Sequence, residues 1–481
     1  MFPDATLRRM VAKGSYWLLL AVIASALVLY SQTWAFAWDE GFHIVTAQLI
    51  LHGKRPYLDF CFSQTPLNAF WNAFWMGLLG ETWKAAHLAA ALAAAAGTAV
   101  AGWFVLRHFP APEWRMPGAV LVAILTGFNV VVFRYGGISQ AYGLCLLLLT
   151  SAYWCGVVAV EGSSLLPAAL AGAFSLAAAG SSLLTAPAAP ILLVWILIHA
   201  DAASRWRKLA AFVSGALVAV SPILWLFAQG PKQVWFGIVD YNLKYRLVDW
   251  PPPDANKQNL EVAMSWIDSG PTLVLLALAI AGYRATRRPE LRLCGWLAAG
   301  LGLYIGVAVR PTFQQYLVFT VPFLAILGVA GIQEYWPSRK WMPVFVASFL
   351  VVFGLGKTLY DEQDSSTWED FEKIGRKVDE VTPKGARLMA DEVVYFVTKR
   401  TPPEGNEERN SHKLEFGPAE ARLYHIRPQS QLDREAREGY YATVETCENE
   451  EYIAEKGFAK VFAQKAEVGG CTVFWDYKGS R

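Results

Sequence analysis

The sequence predicts a polytopic α-helical membrane protein of about eleven transmembrane helices, with a small extracytoplasmic α/β domain at its C-terminus. Three observations lead there. The 481 residues are 54% hydrophobic and 14% aromatic but only 17% charged, with a positive mean hydropathy, which is too apolar for a water-soluble chain. Through about Leu359, apolar blocks of roughly 17–25 residues recur between short polar breaks, each long enough to cross a hydrocarbon core about 30 Å thick. Beyond Tyr360 no such block occurs, and the composition becomes that of a soluble domain of roughly 120 residues. The expected division is 1–360 for the membrane part, with interfacial helices in a first outer loop at 35–84, and 361–481 for the outer domain.

The spans are expected at 16–33, 85–106, 117–134, 138–160, 165–180, 186–200, 209–228, 267–283, 293–309, 313–333 and 341–359. The fifth and sixth are separated only by Ser181, Ser182, Thr185 and Pro187, so one broken helix with a re-entrant turn is the alternative. Arg8, Arg9 and Lys13 before the first apolar block resemble a signal peptide. No small-residue cleavage site follows, however, and Trp34, Phe36 and Trp38 form an interfacial belt, so the block is expected to stay as a span.

Charge sets the orientation. Arg107 with Arg115, then Arg205, Arg207 and Lys208, then Arg284, Arg287, Arg288 and Arg292, then Arg339 and Lys340 all fall on one side if the spans alternate. The positive-inside rule makes that side, and the N-terminus, cytoplasmic; an odd number of spans then puts the C-terminal domain outside. The net charge of +2 is spread over short loops without forming a stripe, which excludes nucleic acid as a partner. Cys447 and Cys471 fall in the outer domain, where an oxidising compartment permits a disulfide, and Cys61 is left over outside. No cysteines or histidines have zinc-binding spacing.

The first outer loop reads WAFAWDEGFHIVTAQLILHGKRPYLDFCFSQTPLNAFWNAFWMGLLGETWK. Asp39 is expected to cap a helix from Glu40 to about His52, stopped by Gly53, and the apolar stripe Phe42, Val45 and Leu49 is expected to lie on the membrane surface. Thr65 and Pro66 open a second, aromatic-rich interfacial helix ending near Gly80, with Asn68 and Asn72 on one face. Asp39 and Glu40 sit where the first span leaves the bilayer. A carboxylate there can deprotonate an acceptor hydroxyl or hold a divalent cation, or it can merely cap and complement the helix.

A WDE pair after the first span, a helix ending in HG, then GKRPYLDF and a QTPL segment before an aromatic helix resemble the polytopic glycosyltransferases of the C superfamily (GT-C). The nearest likeness is to bacterial relatives of protein O-mannosyltransferases and to lipid A aminoarabinose transferases. Pro222, the outer VDYNLKYR segment and QQYLVFTVPFLAILGVAGI extend the likeness over most of the membrane part. The resemblance implies a bacterial plasma-membrane enzyme. It implies a sugar donor on a polyprenyl phosphate, inverting transfer on the outer face, and a protein, lipid or polysaccharide acceptor. It also implies a first-loop acidic residue, matching Asp39 with Glu40 beside it, acting as general base or metal-associated carboxylate. One departure stands out: the aminoarabinose transferases have a Glu-Lys pair before the Pro of the second interfacial helix, where this chain has Gln64 and Thr65.

The donor phosphate therefore needs another cation or hydrogen bonds from these neutral groups, because charge must be neutralised as the glycosidic bond breaks. Arg310, beside Pro311 at an outer span end and near Tyr316, is the first candidate, against a plain snorkelling anchor. Lys244 and Arg246 follow, against a solvated loop, and Lys54 and Arg55 are headgroup binders. Arg134 in FRYGGISQ, and Tyr57 and Asp59 in PYLDF, complete the candidates.

In the outer domain, a helix is expected over 368–381. Strands are expected at ARLMA, YYATVET, AKVFAQ and CTVFWDY, with a helix near 448–456. TPPEGNEERN reads as a polar loop, and the charged residues as solvated surface. The expected role is to cover the outer loops or help choose the acceptor. Two other functions compete with transfer: a transporter or flippase for a lipid-linked saccharide, which calls for paired discontinuous spans, and a non-enzymatic envelope protein.

Overall fold

The computed structural model describes residues 5–268, 270–363 and 365–480. The side chains of Arg8, Arg9, Lys13 and Trp38, which entered the reading of the first span, lie outside the described set. The molecule is mostly helical with one small sheet. Among the described residues seven helices are long and apolar enough to cross a membrane: Gly14–Ser31, Trp83–His108, Tyr142–Glu161, Arg205–Gln229, Pro289–Ala308, Gln314–Tyr335 and Met342–Asp361.

The remaining expected spans are broken or short. Pro252–Trp266 and Pro271–Ala285 form a pair bent by 80°. The first helix of that pair occupies much of a stretch expected to be loop. Leu166–Ser181 and Leu183–His199 are shorter apolar helices, separated at the expected break. The span expected at 117–134 is two pieces, Arg115–Gly127 and Val130–Tyr135, because Asn129 caps the second by accepting from Val131 N.

The chain divides into two compact units. One gathers Met1–Gln32, His87–Pro222 and Trp250–Asp364; the other gathers Thr33–Ala86, Ile223–Asp249 and Ser365–Arg481. The cut is not at 360. The first outer loop, grouped by the sequence reading with the membrane part, packs with the C-terminal residues.

In the first unit the helix Gln314–Tyr335 is buried throughout 318–332. It crosses Gly270–Ala285 through Gly282 and Gly331: a Cβ on Gly282 would run into the Leu327 carbonyl, and one on Gly331 into the Leu278 carbonyl. Backbones this close gain dispersion energy and exclude any larger side chain.

In the second unit the helix Ala37–Leu51 buries Phe42, Val45 and Leu49 against Val393, Val394, Phe396, Trp368 and Phe371. The stripe was expected on the membrane surface. Lipid and protein remove the same apolar area from water, so periodicity cannot choose between them. Gly41 makes protein contact possible here, since a Cβ there would come within 2.8 Å of Val393. The chain entering this helix pairs with the C-terminal segment: Ala35 N donates to Ser366 O at 3.3 Å, and Trp83 stacks on Trp368 at 4.8 Å.

The sheet has the order β1-β2-β4-β3. β1 (Leu388–Met389) runs parallel to β2 (Thr443–Thr446), and β4 (Cys471–Tyr477) pairs antiparallel with β2 and with β3 (Phe462–Val468). β1, β2 and β4 lie within expected strand segments, whereas β3 overlaps AKVFAQ only at 462–464, since Phe458–Val461 is helical. The helix Trp368–Val381 starts at a capping box of Thr367 and Asp370. Cys447 and Cys471 are bonded to each other, and Cys61 is free and buried.

Candidate active site

The first outer helix begins at Ala37, with Phe36 at its cap position, so Asp39 and Glu40 lie inside the first turn. Asp39 is not the cap that the sequence reading offered as its alternative role. Glu40 is fully buried, and its Oε2 accepts from Phe36 N at 3.4 Å, so Glu40 performs the helix-end service instead. Asp39 is partly exposed. The two acidic neighbours therefore occupy different environments.

His43 stands four residues after Asp39 and three after Glu40, hence on the same helix face. It is buried, stacked on Phe42 at 4.4 Å, and its Nδ1 has no hydrogen-bond partner. Burial lowers its pKa to about 4, against the pull of the Glu40 charge, so it is neutral at physiological pH. The sequence reading passed over it. The DEGFH spacing was the available signal.

The segment before the second helix, Leu67–Leu79, is clamped. Glu408 accepts from Ser63 N at 2.8 Å and from Ser63 Oγ; Asn242 Nδ2 donates to Ser63 O at 3.0 Å; Tyr57 Oη donates to Gln64 O. Tyr57 is buried at a positive φ of 68°, a backbone strain that its burial maintains. Thr65 follows, buried at 3% exposure, with its hydroxyl unpartnered. Pro66 caps the helix without a side-chain hydrogen bond, leaving the helix N-terminus to other acceptors. Asn68 and Asn72 are both buried on this helix.

Several candidates are engaged elsewhere. Asp59 pairs with Arg55 at 2.9 Å and accepts its backbone N at 2.7 Å; the Arg55 hydrogen bonds hold its carboxyl below the usual range. Lys244 is exposed and pairs with Asp240 at 2.7 Å, four residues before it. Arg246 is half-buried on a short 3-10 turn, Tyr245–Val248. In the other unit, Arg134 is paired with Glu362, which also accepts from Tyr30 Oη, and it lies over the Tyr135 ring at 5.3 Å. That is a structural tie between helix ends.

Arg310 is exposed and has no ion-pair partner among the described residues. Its turn is held by a residue the sequence reading did not single out. Asn259 Nδ2 donates to Gly306 O at 3.2 Å and Val309 O at 2.8 Å, and its Oδ1 accepts from Thr312 N at 2.7 Å. Tyr316 is buried and packs edge-on to Phe313 at 5.5 Å.

The C-terminal segment departs most from expectation. Glu392, Glu407, Glu408 and Glu445 are buried, where charged residues were expected on solvated surface. Burial raises Glu392, Glu407 and Glu408 to about 7, and pushes Asp391 and Glu445 up as well. Arg409 bridges Asp391 at 2.7 Å and Glu448, and its backbone N donates to Glu392 at 2.6 Å. Composition reads charge as surface; only the fold reveals that these carboxyls have partners.

Among the described residues, a single group of three metal-type ligands stands close together: Glu445, Cys447 and Cys471, with ligand atoms within 4.8 Å of one another. The disulfide occupies both thiols there. Asp39 and Glu40 belong to no such group among the described residues.

No family model matches the sequence, and no curated protein does. The fold does have relatives. ArnT from Cupriavidus metallidurans, solved bound to undecaprenyl phosphate and also in the apo state, superposes with a TM-score of 0.69 in both forms. The match covers 96% of this chain and 98% of that one at 14% identity. The chain therefore has the fold of these structures.

Proposed function

We propose that this protein is a membrane glycosyltransferase that moves a sugar from a polyprenyl-phosphate carrier to an acceptor on the outer face of the bacterial plasma membrane, with inversion. The observation that carries the reading is the fold shared over 96% of the chain with a protein solved with undecaprenyl phosphate bound. The partly exposed Asp39 in the first turn of the first outer helix supports it.

Asp39 takes the proton of the acceptor hydroxyl as that oxygen attacks the anomeric carbon from the face opposite the phosphate, and the phosphate leaves with the bonding pair. General-base help of this kind contributes about 10²–10⁴ in rate. Glu40 fixes the turn that presents Asp39. In the unit that holds Asp39, the Thr65 hydroxyl and Gln64 receive the phosphate charge, while Lys244 already has a carboxylate partner. The one-sided basic loops and the Cys447–Cys471 bond support a cytoplasmic N-terminus and an outer C-terminal segment.

The test is transfer from radiolabelled polyprenyl-phosphate sugars in membranes, comparing wild type with Asp39→Asn at matched expression. The expected result is a loss of at least 10²-fold with normal folding. Repeating the assay in EDTA separates a proton-accepting Asp39, insensitive to chelation, from a metal-associated one. Transfer that survives Asp39→Asn overturns the assignment, and a wild type without transfer brings the transporter reading forward.

A further inference from the structure

Three side chains converge on the two residues that precede Thr65, and one comes from the far end of the chain. Glu408 lies 345 positions from Ser63, yet both of its carboxylate oxygens are used on that residue, Oε2 on the backbone N and Oε1 on the hydroxyl. Asn242 holds the Ser63 carbonyl and Tyr57 holds the Gln64 carbonyl, so the backbone on both sides of the Ser63–Gln64 peptide is tied. Glu408 is 1% exposed. Placing a carboxyl there costs several kcal/mol of lost hydration unless its hydrogen bonds offset that cost. A stabilised loop alone would be served as well by an apolar contact. Two directed hydrogen bonds fix a backbone position and orientation, which is what a site requires of its supporting groups. What is fixed is the peptide leading into a buried, unpartnered hydroxyl and an uncapped helix N-terminus.

We infer that Glu408 is a positioning residue for the donor phosphate, acting through Ser63 to hold Gln64, Thr65 and the N-terminus of the Leu67–Leu79 helix where the phosphate is received. The inference rests on the proposed transfer reaction. It gives the C-terminal segment a part in binding the donor beyond covering the outer loop. The groups facing Glu408 are Tyr57 and Cys61 from the first outer loop, Tyr241 from the 236–243 helical turn, and Lys413 from its own segment. Of these only Lys413 is cationic, and it is bonded to Asp249 at 2.6 Å. Ser63 is therefore the partner that orients the carboxyl.

The experiment uses the full-length protein in detergent-lipid micelles. It compares wild type, Glu408→Ala, Glu408→Gln and Ser63→Ala by two readouts. Amide hydrogen exchange over residues 63–68 needs no activity. Initial rates against donor concentration give KM and kcat separately. The expected result for Glu408→Ala is exchange over 63–68 at least tenfold faster and donor KM raised about tenfold, with kcat within threefold of wild type. Glu408→Gln, which keeps an acceptor for Ser63 and the same shape, is expected to restore most of both.

Unchanged exchange in Glu408→Ala overturns the clamp. Faster exchange with unchanged KM, or loss confined to kcat, overturns the positioning role. If Glu408→Ala does not fold, Glu408→Gln and Ser63→Ala decide by the same criteria, with Ser63→Ala expected to raise KM and Glu408→Gln to leave it within threefold. A wild type without transfer from any polyprenyl-phosphate sugar strikes the functional reading instead. Exchange, together with the Kd of undecaprenyl phosphate for wild type and Glu408→Ala, then judges Glu408: a tenfold weaker Kd upholds it and an equal Kd overturns it.

Discussion

In the unit built from Met1–Gln32, His87–Pro222 and Trp250–Asp364, helices meet where glycines bring backbones together, as at Gly282 and Gly331, and charges such as Arg134 and Arg310 stand at helix ends. In the unit built from Thr33–Ala86, Ile223–Asp249 and Ser365–Arg481, Glu40, Glu392, Glu407, Glu408 and Glu445 are buried, and Arg409 joins Asp391 and Glu448 through its guanidinium and Glu392 through its backbone N. The difference follows from solvent. A chain surrounded by hydrocarbon gains nothing from apolar burial between helices, so close packing of small residues holds them, and an unpaired charge inside is excluded. A chain whose outer surface meets water can bury carboxyls and meet their cost with backbone and side-chain donors.

The largest test of this contrast is Gly282→Val. It drives a branched side chain into the Leu327 backbone, and a loss beyond about 4 kcal/mol is expected, seen as failure to recover monodisperse protein from detergent extraction. A normal yield and melting temperature would mean that the crossing tolerates separation.

Next comes pH. Glu392, Glu407 and Glu408 keep protons in the folded state up to about 7, whereas the unfolded chain has released them well below that. Their stabilisation is therefore full below about 4.5, where the unfolded chain is protonated too, and is lost as pH rises from there through about 7. Buried His43 and His412, both lowered to about 4, act oppositely below about 6.5, because the unfolded chain then takes up protons that the folded state refuses. The three carboxyls outweigh the two histidines, so the melting temperature is expected to fall as pH rises from about 5 through 7.5, and the double substitution Glu392→Gln with Glu407→Gln to flatten that fall. A melting temperature rising through pH 7 would contradict the burial.

The smallest effect is expected at Lys244→Ala. Its partner Asp240 is on the same helical turn and the amine is exposed, so the melting temperature should hardly change and transfer should stay within twofold. A large loss of transfer would return Lys244 to the phosphate site.

Much of the architecture was legible. Long apolar blocks mark spans because only a helix satisfies its own backbone in hydrocarbon, and β-branched and aromatic residues marked β2 and β4, whereas β3 lies mostly past its expected segment. Gly53 and Gly80 marked both ends of the first-loop helices correctly. The breaks were less legible. The interruption at Asn129 comes from one capping side chain inside an otherwise apolar block. Among candidate residues, residue type singled out Asp39, Glu40, Thr65 and, in the other unit, Arg310. It did not tell Glu40, which serves the helix end, from Asp39, and it credited Lys244, Asp59 and Arg134 with availability that their partners remove.

By itself the sequence determined the polytopic helical class, the soluble character of the last residues, the two first-loop helices and the acidic pair, since these follow from local composition and periodicity acting on each segment alone. Tertiary structure decided which neighbour each face and each charge would meet. It put Phe42, Val45 and Leu49 against the C-terminal helix Glu392–Thr398, gave Arg310 its Asn259 clamp, and brought Glu408 to Ser63 across 345 positions. Such pairings are set by the packing of distant segments, and the energy of a buried carboxyl depends on donors that no local window contains.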